Sequence, residues 1–286
     1  RGISIGRTRL WRSIIRRKEG DKLTQINEYI NEIICGDNVE VLREFPDECI
    51  DLTVTSPPYD NLRTYNGFDW DFEALAKELY RVTKRGGVVV WVVNDATVNG
   101  SETGTSFRQA LYFKEIGFNL HDTMIYGKNN PMPVNAKRYY PCFEYMFVLS
   151  KGQPKTFNPI KEIASEAGKR NHLKQRDVDG TFKKAYGYGK EVKKYRPRYN
   201  IWFYNVGGGQ AAADKIAHEH PAIFPEKLVE DHIVSWSNPG DIVLDPFVGS
   251  GTTAKMAALN DRHYIGIDIS EEYCELARKR VSEAIN

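Results

Sequence analysis

The 286-residue chain has no long hydrophobic run and few cysteines. Its longest apolar stretch, Val88 to Val93, has six residues, whereas about 20 are needed to span a bilayer. We therefore expect no transmembrane helix, and the basic N-terminus has no apolar stretch long enough for a signal peptide. The four cysteines form no Cys-x-x-Cys pair, which argues against a structural zinc site and a disulfide framework. These absences predict a cytoplasmic protein without a metal, whose thiols are reduced and mostly buried.

The net charge of +2 hides an uneven distribution of charge along the chain. Residues 151–200 hold ten lysines and four arginines against five acids, and residues 1–22 hold eight bases against two acids. The rest of the chain is therefore acidic. Two basic blocks on an acidic body favour contact with a polyanion such as nucleic acid. The alternative is that both blocks are solvated segments without a partner.

Short apolar strands alternate with helical patterns in two parts of the chain. In the first part we expect strands at 50–55, 88–93 and 143–149, and helices at 71–83 and 107–116. Lys84-Arg85-Gly86-Gly87 is expected to form a turn that ends the first of these helices. In the second part we expect strands at 241–244 and 264–267, and helices at 225–236, 252–259 and 271–283. This alternation predicts an α/β fold with a doubly wound, mostly parallel sheet.

Residues 153–205 interrupt this alternation. The segment is polar and basic, with glycines and aromatic residues scattered among the charges, namely Phe182, Tyr186, Tyr188, Tyr195, Tyr199 and Trp202. We interpret it as an inserted recognition region. The chain then divides into a basic leader (1–30), one half of an α/β domain (31–152), the insertion (153–205) and the other half of the same domain (206–286).

The first chemical motif is the run DIVLDPFVGSGTT at 241–253. A buried strand enters a turn with glycines at 249 and 251, and a helix follows. Such a turn, with an acid at the strand end, forms a ligand crevice in open α/β sheets. The spacing fits neither the Gly-x-Gly-x-x-Gly motif nor the phosphate loop, so a ligand held by its phosphates is not expected. Asp268 ends the next strand, where a carboxylate can accept both hydroxyls of a ribose.

The second motif is TSPPY at 55–59, at the end of another strand. Proline has no backbone N–H, so the carbonyl groups of Ser56 and Pro57 are left to face a ligand. Ser56 adds a hydroxyl acceptor, and Tyr59 adds a flat aromatic face. This set suits a planar heterocycle with an exocyclic amino group, and such a base must leave the duplex to be reached.

Together the two motifs resemble the catalytic and cofactor motifs of the S-adenosylmethionine-dependent amino-group DNA methyltransferases. TSPPY comes first, the basic insertion follows and the glycine motif is near the C-terminus, an order that is similar to the permuted β class of this family. Further segments that resemble the class are Ile33–Asp37, Phe143–Gly152 and His220-Pro221-Ala222 with Pro225. The resemblance covers residues 31–286 and implies the Rossmann-like methyltransferase fold with an inserted target-recognition region.

The resemblance implies a role for individual residues. Asp268 would hold the ribose of S-adenosylmethionine, and Asp37 would contact the adenine amino group. The rest of the cofactor pocket would be formed by the glycine motif and the segment before it, namely His220, Pro221, Asp245, Pro246, Phe247, Gly249, Ser250, Gly251 and Thr252. The target base would be held by the catalytic motif, namely Ser56, Pro57, Pro58 and Tyr59.

The chemistry of the amino group agrees with this assignment. An exocyclic amine is a poor nucleophile because its lone pair is delocalised into the ring. Hydrogen bonds from its protons to the Ser56 side chain and the Pro57 carbonyl would draw the nitrogen towards sp³ geometry. Most of the rate would then come from placement and charge complementarity. No nucleophilic cysteine is needed, and we expect Cys142 to pack in the core.

The serine before the two prolines resembles cytosine N4 enzymes more than adenine N6 enzymes, which usually carry Asp or Asn there. Cytosine N4 is therefore the expected target and adenine N6 the alternative. Two other hypotheses on the function are also consistent with the sequence. The chain could be a catalytically idle nucleic-acid-binding module on the same fold, or its substrate could be RNA or protein.

The expected macromolecular partner is double-stranded DNA, which the insertion would bind. No contact with a membrane is expected. The residues expected to contact it are Lys183, Lys184, Lys193, Lys194, Arg196 and Arg198. A cognate restriction endonuclease and a homodimer are further partners that the family allows. The expected location is the cytoplasm, with association to the nucleoid through DNA.

Overall fold

The computed structural model describes residues 26–59, 70–131, 133–134, 137–207, 211–214, 217 and 224–285. The elements in chain order are β1 (Glu32–Cys35), α1 (Asn38–Arg43), β2 (Ile50–Thr55), α2 (Phe72–Val82), β3 (Thr83–Val93), β4 (Thr97–Val98), β5 (Ser101–Glu102), α3 (Thr105–Glu115), β6 (Asn119–Lys128), β7 (Phe143–Ser150), β8 (Lys161–Ile163), β9 (Lys174–Arg176), β10 (Phe182–Lys184), β11 (Tyr195–Pro197), β12 (Ile201–Tyr204), α4 (Glu226–Trp236), β13 (Ile242–Asp245), α5 (Thr252–Leu259), β14 (His263–Asp268) and α6 (Glu271–Ile285).

Eight of these strands form one central sheet in the order β1-β14-β13-β2-β3-β7-β6-β12. Neighbouring strands run parallel, except that β7 is antiparallel to both β3 and β6. Strands from the N-terminal and C-terminal parts of the chain meet where β13 pairs with β2 and where β1 pairs with β14. The predicted doubly wound, mostly parallel sheet is confirmed.

Helices cover both faces of the sheet. Side chains of α1, α2 and α3 pack in one hydrophobic cluster, and side chains of α4, α5 and α6 pack in clusters on the other face. In β3, Val89 and Trp91 belong to the first face, whereas Val88 and Val90 belong to the second. The run Val88–Val93 is therefore a strand buried on both sides, as its composition predicts.

Helix α2 shows how local sequence sets the limits of an element. The Asp71 carboxylate accepts a hydrogen bond of 3.0 Å from the Ala74 backbone N–H and caps the helix. The helix ends at Val82, and β3 begins at once with Thr83. Residues 84–87, expected as a turn, therefore belong to the strand. The turn signal reflects a register shift against β2 and the positive φ of Gly86, 82°.

The inserted region forms small antiparallel ribbons of three-residue strands, in which β8 pairs with β11 and β9 pairs with β10. Strand β12 differs from this pattern because it pairs with β6 in the central sheet. The boundary at 205 thus places Ile201–Tyr204 with the insertion, although these residues complete the main sheet. Trp202 and Tyr204 are buried, and Ile201 and Phe203 are exposed. The sequence does not show this alternation, because all four residues are apolar.

The last residues of the expected basic leader pack against the folded domain. Ile26 is buried in the core, and Tyr29 and Ile30 pack against it. The end of the 1–30 leader therefore belongs to the folded domain, and residues 1–25 lie outside the described part.

Cys49 and Cys274 are buried, but Cys142 is exposed. The expectation that Cys142 packs in the core is wrong, because the residue precedes β7 and lies outside the sheet. Within the described ranges, no helix is long and apolar enough to cross a membrane.

Candidate active site

The two chemical motifs lie side by side at the carboxyl edge of the sheet. Strand β2 leads into TSPPY, and its neighbour β13 leads into the glycine motif. Adjacent strands are about 5 Å apart, so the fold brings together segments that are 190 residues apart in the chain. Ligands of open α/β sheets bind at this edge, where the strand order reverses.

Two buried hydrogen bonds join the motifs. The Thr55 hydroxyl donates to the Asp245 carboxylate at 2.7 Å. The Thr253 hydroxyl donates to the Val54 carbonyl oxygen at 3.2 Å. Each bond links the strand that carries one motif to a residue of the other, so the two motifs are held in a fixed relation.

The glycine loop folds over the end of β14. The backbone N–H of Gly249 donates to the Asp268 carboxylate at 3.0 Å, and the Val248 N–H donates to the Ile267 carbonyl at 2.9 Å. Gly251 has a φ of 83°, and a Cβ there would lie 2.9 Å from the Cα of Ala277. Only glycine fits both the left-handed conformation and this close approach of α6.

Asp37 and Asp268, the two acids expected to hold the cofactor nucleoside, lie at adjacent strand ends. The Gly36 N–H donates to the Asp268 carbonyl at 2.9 Å. Asp37 caps α1, since its carboxylate accepts from the Glu40 N–H at 3.0 Å, and its side chain is exposed. The Asn38 amide donates to the Pro246 carbonyl at 3.2 Å. The structure thus places both acids around the glycine loop.

Asp245 lies deeper than its neighbours. Its residue surface is 3% exposed, and its carboxylate accepts from the Thr55 hydroxyl and, at 3.0 Å, from the Phe247 N–H. Burial raises the pKa of Asp245 to about 6, against the opposing effect of its hydrogen bonds with Thr55, Thr253 and Phe247. The carboxylate therefore connects the two motifs from inside the protein.

This pKa predicts a pH-dependent cost to stability. Between the ordinary value of 3.8 and the native value of about 6, the native state binds more protons than the unfolded state, so stability falls as the pH rises. Asp245→Asn removes the titration. We expect the unfolding free energy of the wild type, relative to the variant, to fall by about 2 kcal/mol between pH 4 and pH 7.5. Urea denaturation measures this difference, and a difference independent of pH contradicts the prediction.

The side chains of TSPPY form a hydrogen-bonded chain that leads to β7. Ser56 and Tyr59 are partly buried, and their hydroxyl oxygens are 2.7 Å apart. The Tyr59 hydroxyl donates to the Glu144 carboxylate at 3.0 Å. Glu144 in turn pairs with the Lys128 ammonium at 2.7 Å. The sequence assigned Tyr59 only an aromatic face, and it gave no role to Glu144 or Lys128.

Phe247 of the glycine motif packs against aromatic rings from the other half of the domain. Its ring centroid is 4.9 Å from that of Trp70 and 6.5 Å from that of Trp91, with edge-to-face geometry. Trp91 is fully buried, and its indole N–H donates to the Gln109 side chain at 2.9 Å. Phe247 is partly buried, so it forms an apolar wall beside the glycine loop.

A buried ionic cluster supports the glycine loop from behind. The Arg280 side chain is 1% exposed and the Lys255 side chain 9% exposed, and both cations pair with Asp214 and Glu226 at 2.6 to 2.9 Å. Arg280 also donates to the Ser250 carbonyl and to the Thr252 hydroxyl. No sequence pattern pointed to this cluster, because each member lies on a different element.

The pKa of Asp214 reflects this environment. Burial alone would raise it, but hydrogen bonds from Lys255 and Arg280 outweigh burial and hold the pKa of Asp214 well below its usual range. The Asp214 carboxylate is therefore charged at neutral pH. The cluster joins the segment around Asp214 to α4, α5, α6 and the glycine loop.

The basic residues of the insertion have different surroundings. Lys183 pairs with Asp177 at 2.9 Å, and Arg196 pairs with Glu162. Lys184 and Lys194 lie 5.1 and 5.4 Å from the ring centroids of Tyr188 and Tyr195, and Lys193 is exposed. The four lysines are thus on the surface, two of them against aromatic side chains.

Arg198 has a more buried setting than the other basic residues of the insertion. Its guanidinium pairs at 2.8 Å with Asp231 of α4, whose side chain is 3% exposed. Asp231 also accepts from the Tyr204 hydroxyl at 2.7 Å and pairs with Lys227 at 2.7 Å. These contacts attach the end of the insertion to the body of the protein.

His220 and Pro221, expected to line the cofactor pocket, lie outside the described residues. Among the residues that are described, no group of three or more His, Cys, Asp or Glu side chains is placed to hold a metal ion. The remaining residues expected in the catalytic and cofactor sites come from the ends of four strands, β1, β2, β13 and β14, and from the loops that follow them.

Fold and motifs together define a class of protein: an α/β enzyme in which the glycine loop and TSPPY meet at the carboxyl edge of a mostly parallel sheet. The chain belongs to the DNA methylase family of N6- and N4-type methyltransferases, whose family model matches residues 50–279. The orphan methyltransferase M.BamHII of Bacillus amyloliquefaciens is 60% identical over 240 residues, which cover 82% of this chain and 90% of that protein.

Solved structures agree with this assignment. A DNA modification methylase of Thermus thermophilus in complex with S-adenosylmethionine has a TM-score of 0.60 and 25% identity, covering 89% of this chain and 94% of that one. The cytosine-N4-specific PvuII DNA methyltransferase shares the fold, with a TM-score of 0.62 and 23% identity over 89% of this chain and 90% of that one. The protein is an S-adenosylmethionine-dependent DNA amino-methyltransferase, as the resemblance implied.

Proposed function

We propose that the enzyme methylates the exocyclic N4 amino group of a flipped cytosine, with Ser56 and Pro57 as the acceptors of the amino hydrogens. The observation that carries this proposal is the neutral Ser56 hydroxyl at the end of β2. It is hydrogen-bonded to the Tyr59 hydroxyl, and the neighbouring strand β13 leads into the glycine motif. Pro57 and Pro58 present no backbone N–H, so donors do not compete with the amino group for these acceptors.

The described residues fit S-adenosylmethionine. Asp268 and the exposed Asp37 offer carboxylates at adjacent strand ends, which suit ribose hydroxyls and an adenine amino group. Phe247 supplies an apolar wall, and the glycine loop supplies close backbone approach. When bound, the cofactor supplies a methyl group on a sulfonium. The protein would hold the amino nitrogen in line with that methyl group and exclude other positions of the base.

Adenine N6 is the second candidate, because the family covers both amines. Mass spectrometry of nucleosides from DNA incubated with the enzyme and labelled cofactor separates the two. Labelled N4-methylcytosine supports the proposal, whereas labelled N6-methyladenine overturns the choice of base and leaves the mechanism intact. RNA of the same sequence serves as the comparison substrate.

For the insertion we propose a role in DNA contact, carried by surface cations next to aromatic rings. Lys184 and Lys194 lie over tyrosine rings, which orders their side chains at the surface. Arg196 and Arg198 are engaged with Glu162 and Asp231, so on binding they would exchange or share these partners. Lys184, Lys193 and Lys194 are therefore the better candidates for phosphate contacts, and Lys183 would have to release Asp177 to join them.

Neutralising Lys183, Lys184, Lys193 and Lys194 together should weaken DNA binding and flatten its salt dependence. Each lost phosphate contact lowers the log–log slope by about 0.9, because fewer counterions are released. Cofactor affinity should not change. A control variant replaces the exposed Lys77, Lys114 and Lys279 of α2, α3 and α6. Parallel salt plots of equal height for the wild type and the fourfold variant contradict a DNA-binding role.

The remaining partners are also proposals. The name orphan methyltransferase, given to the 60% identical relative, favours an enzyme that acts without a cognate restriction endonuclease. A homodimer would find an apolar surface at the exposed Ile201 and Phe203 of edge strand β12, and sedimentation tests it. Action in the cytoplasm, at the nucleoid, follows from DNA as the substrate.

A further inference from the structure

The hydrogen-bonded chain behind TSPPY has a fixed direction. A tyrosine hydroxyl has one hydrogen, and that of Tyr59 points to the Glu144 carboxylate, which only accepts. The 2.7 Å contact between Tyr59 and Ser56 must then use the hydrogen of Ser56. Donation by Ser56 to Tyr59 leaves the lone pairs of the serine oxygen for the target base.

The charge of Glu144 sets this direction. Lys128 pairs with its other carboxylate oxygen at 2.7 Å, and the side chains of Lys128 and Glu144 are only 22% and 15% exposed. Tyr126 lies opposite Glu144 in the sheet, and its pKa is raised by burial and by the negative charge of Glu144. Glu144 thus lies between the Lys128 ammonium and the Tyr59 hydroxyl, with Tyr126 opposite it on the neighbouring strand.

We propose that Glu144, paired with Lys128, is a positioning residue that turns Ser56 into a hydrogen-bond acceptor and receives the proton released by the target amine. The inference rests on the proposed placement of the base at Ser56. A neutral serine then acts with the help of a negative charge held two hydrogen bonds away.

The proton balance of this step closes on named atoms. As the sulfonium–methyl bond breaks and the nitrogen–methyl bond forms, the amino nitrogen gains a positive charge. Its proton passes to the Ser56 oxygen, the Ser56 proton passes to the Tyr59 oxygen, and the Tyr59 proton passes to Glu144. Glu144 becomes neutral and returns the proton to solvent through the 15% of its side chain that is exposed. No oxidant, reductant or second base is required.

Single-turnover methyl transfer at saturating cofactor and DNA tests the proposal. Glu144→Gln removes the charge and can reverse the hydrogen-bond direction, and Tyr59→Phe cuts the chain while keeping the ring. We expect each variant to lose about 100-fold in rate, the lower end of what a positioned proton acceptor contributes, with cofactor and DNA dissociation constants within about twofold of the wild type. The double variant should lose no more than either single one, because both break the same chain.

The control is Glu230→Gln, which removes a carboxylate from a surface pair with Lys227 and should leave the rate unchanged. If Glu144→Gln does not fold, Tyr59→Phe still measures the same connection. A rate for Glu144→Gln within about threefold of the wild type, or multiplicative losses in the double variant, overturns the proposal. If Ser56→Ala keeps full activity, the proposed placement of the base fails instead, which is a separate result.

Discussion

Ser56→Ala should lower the single-turnover rate of methyl transfer at least about 100-fold while leaving S-adenosylmethionine affinity within about twofold. The hydroxyl is the side-chain acceptor of TSPPY at the carboxyl end of β2. Without it the amino group would lose one of the two acceptors proposed to hold it in line, and the chain through Tyr59 to Glu144 loses its first member. An interaction made mainly in the transition state affects the rate and not the binding of the ground state.

Rapid-quench methylation and calorimetry measure the two quantities on the same preparation. Ser101→Ala is the matched control, since Ser101 is an exposed serine on β5. A variant that loses rate and cofactor affinity together would show that Ser56 shapes the cofactor pocket. A variant with full activity would remove Ser56 from the site.

Arg280→Met should destabilise the protein by about 3 to 5 kcal/mol, as expected when one partner of a buried ionic group is removed. Its guanidinium is almost fully buried and contacts Asp214, Glu226, Ser250 and Thr252. Methionine fills part of the volume but leaves the Asp214 and Glu226 carboxylates with one cation, Lys255, in place of two. Because Ser250 and Thr252 flank Gly251, cofactor affinity should fall as well.

Urea denaturation compares this variant with Arg43→Met. Arg43 is 54% exposed and pairs with Glu40 on the surface of α1, so its loss should cost less than about 1 kcal/mol. Equal losses for the two arginines would contradict a supporting role for the cluster. Protection of folded Arg280→Met by added cofactor would show how far the glycine loop can still form.

Local patterns in the sequence predict most of the main elements because their signals are short-range. Ile50–Thr55 and Thr252–Leu259 begin and end where the apolar runs and turn residues place them. The motifs at 55–59 and 241–253 are informative for a related reason. Their prolines and glycines constrain the backbone directly, whatever the rest of the chain does.

Residues whose role depends on a distant partner could not be found in this way. Arg280 lies in the run Arg-Lys-Arg, which has the composition of an exposed helix surface, yet it is buried against Asp214, 66 residues away. Glu144 reaches Tyr59 across 85 residues. Strand β12 becomes part of the central sheet only through its pairing with β6. Each of these contacts is decided by packing.

The pairing of β13 with β2 also bears on how such an enzyme could be divided. Its site is aligned by the Thr55–Asp245 and Thr253–Val54 hydrogen bonds, which do not depend on a continuous chain between the halves. The turn between β9 and β10, where Val178 is fully exposed, is far in sequence from all four residues. A break there would leave every one of these bonds available, so two separately expressed fragments could reassemble a site whose activity depends on their meeting.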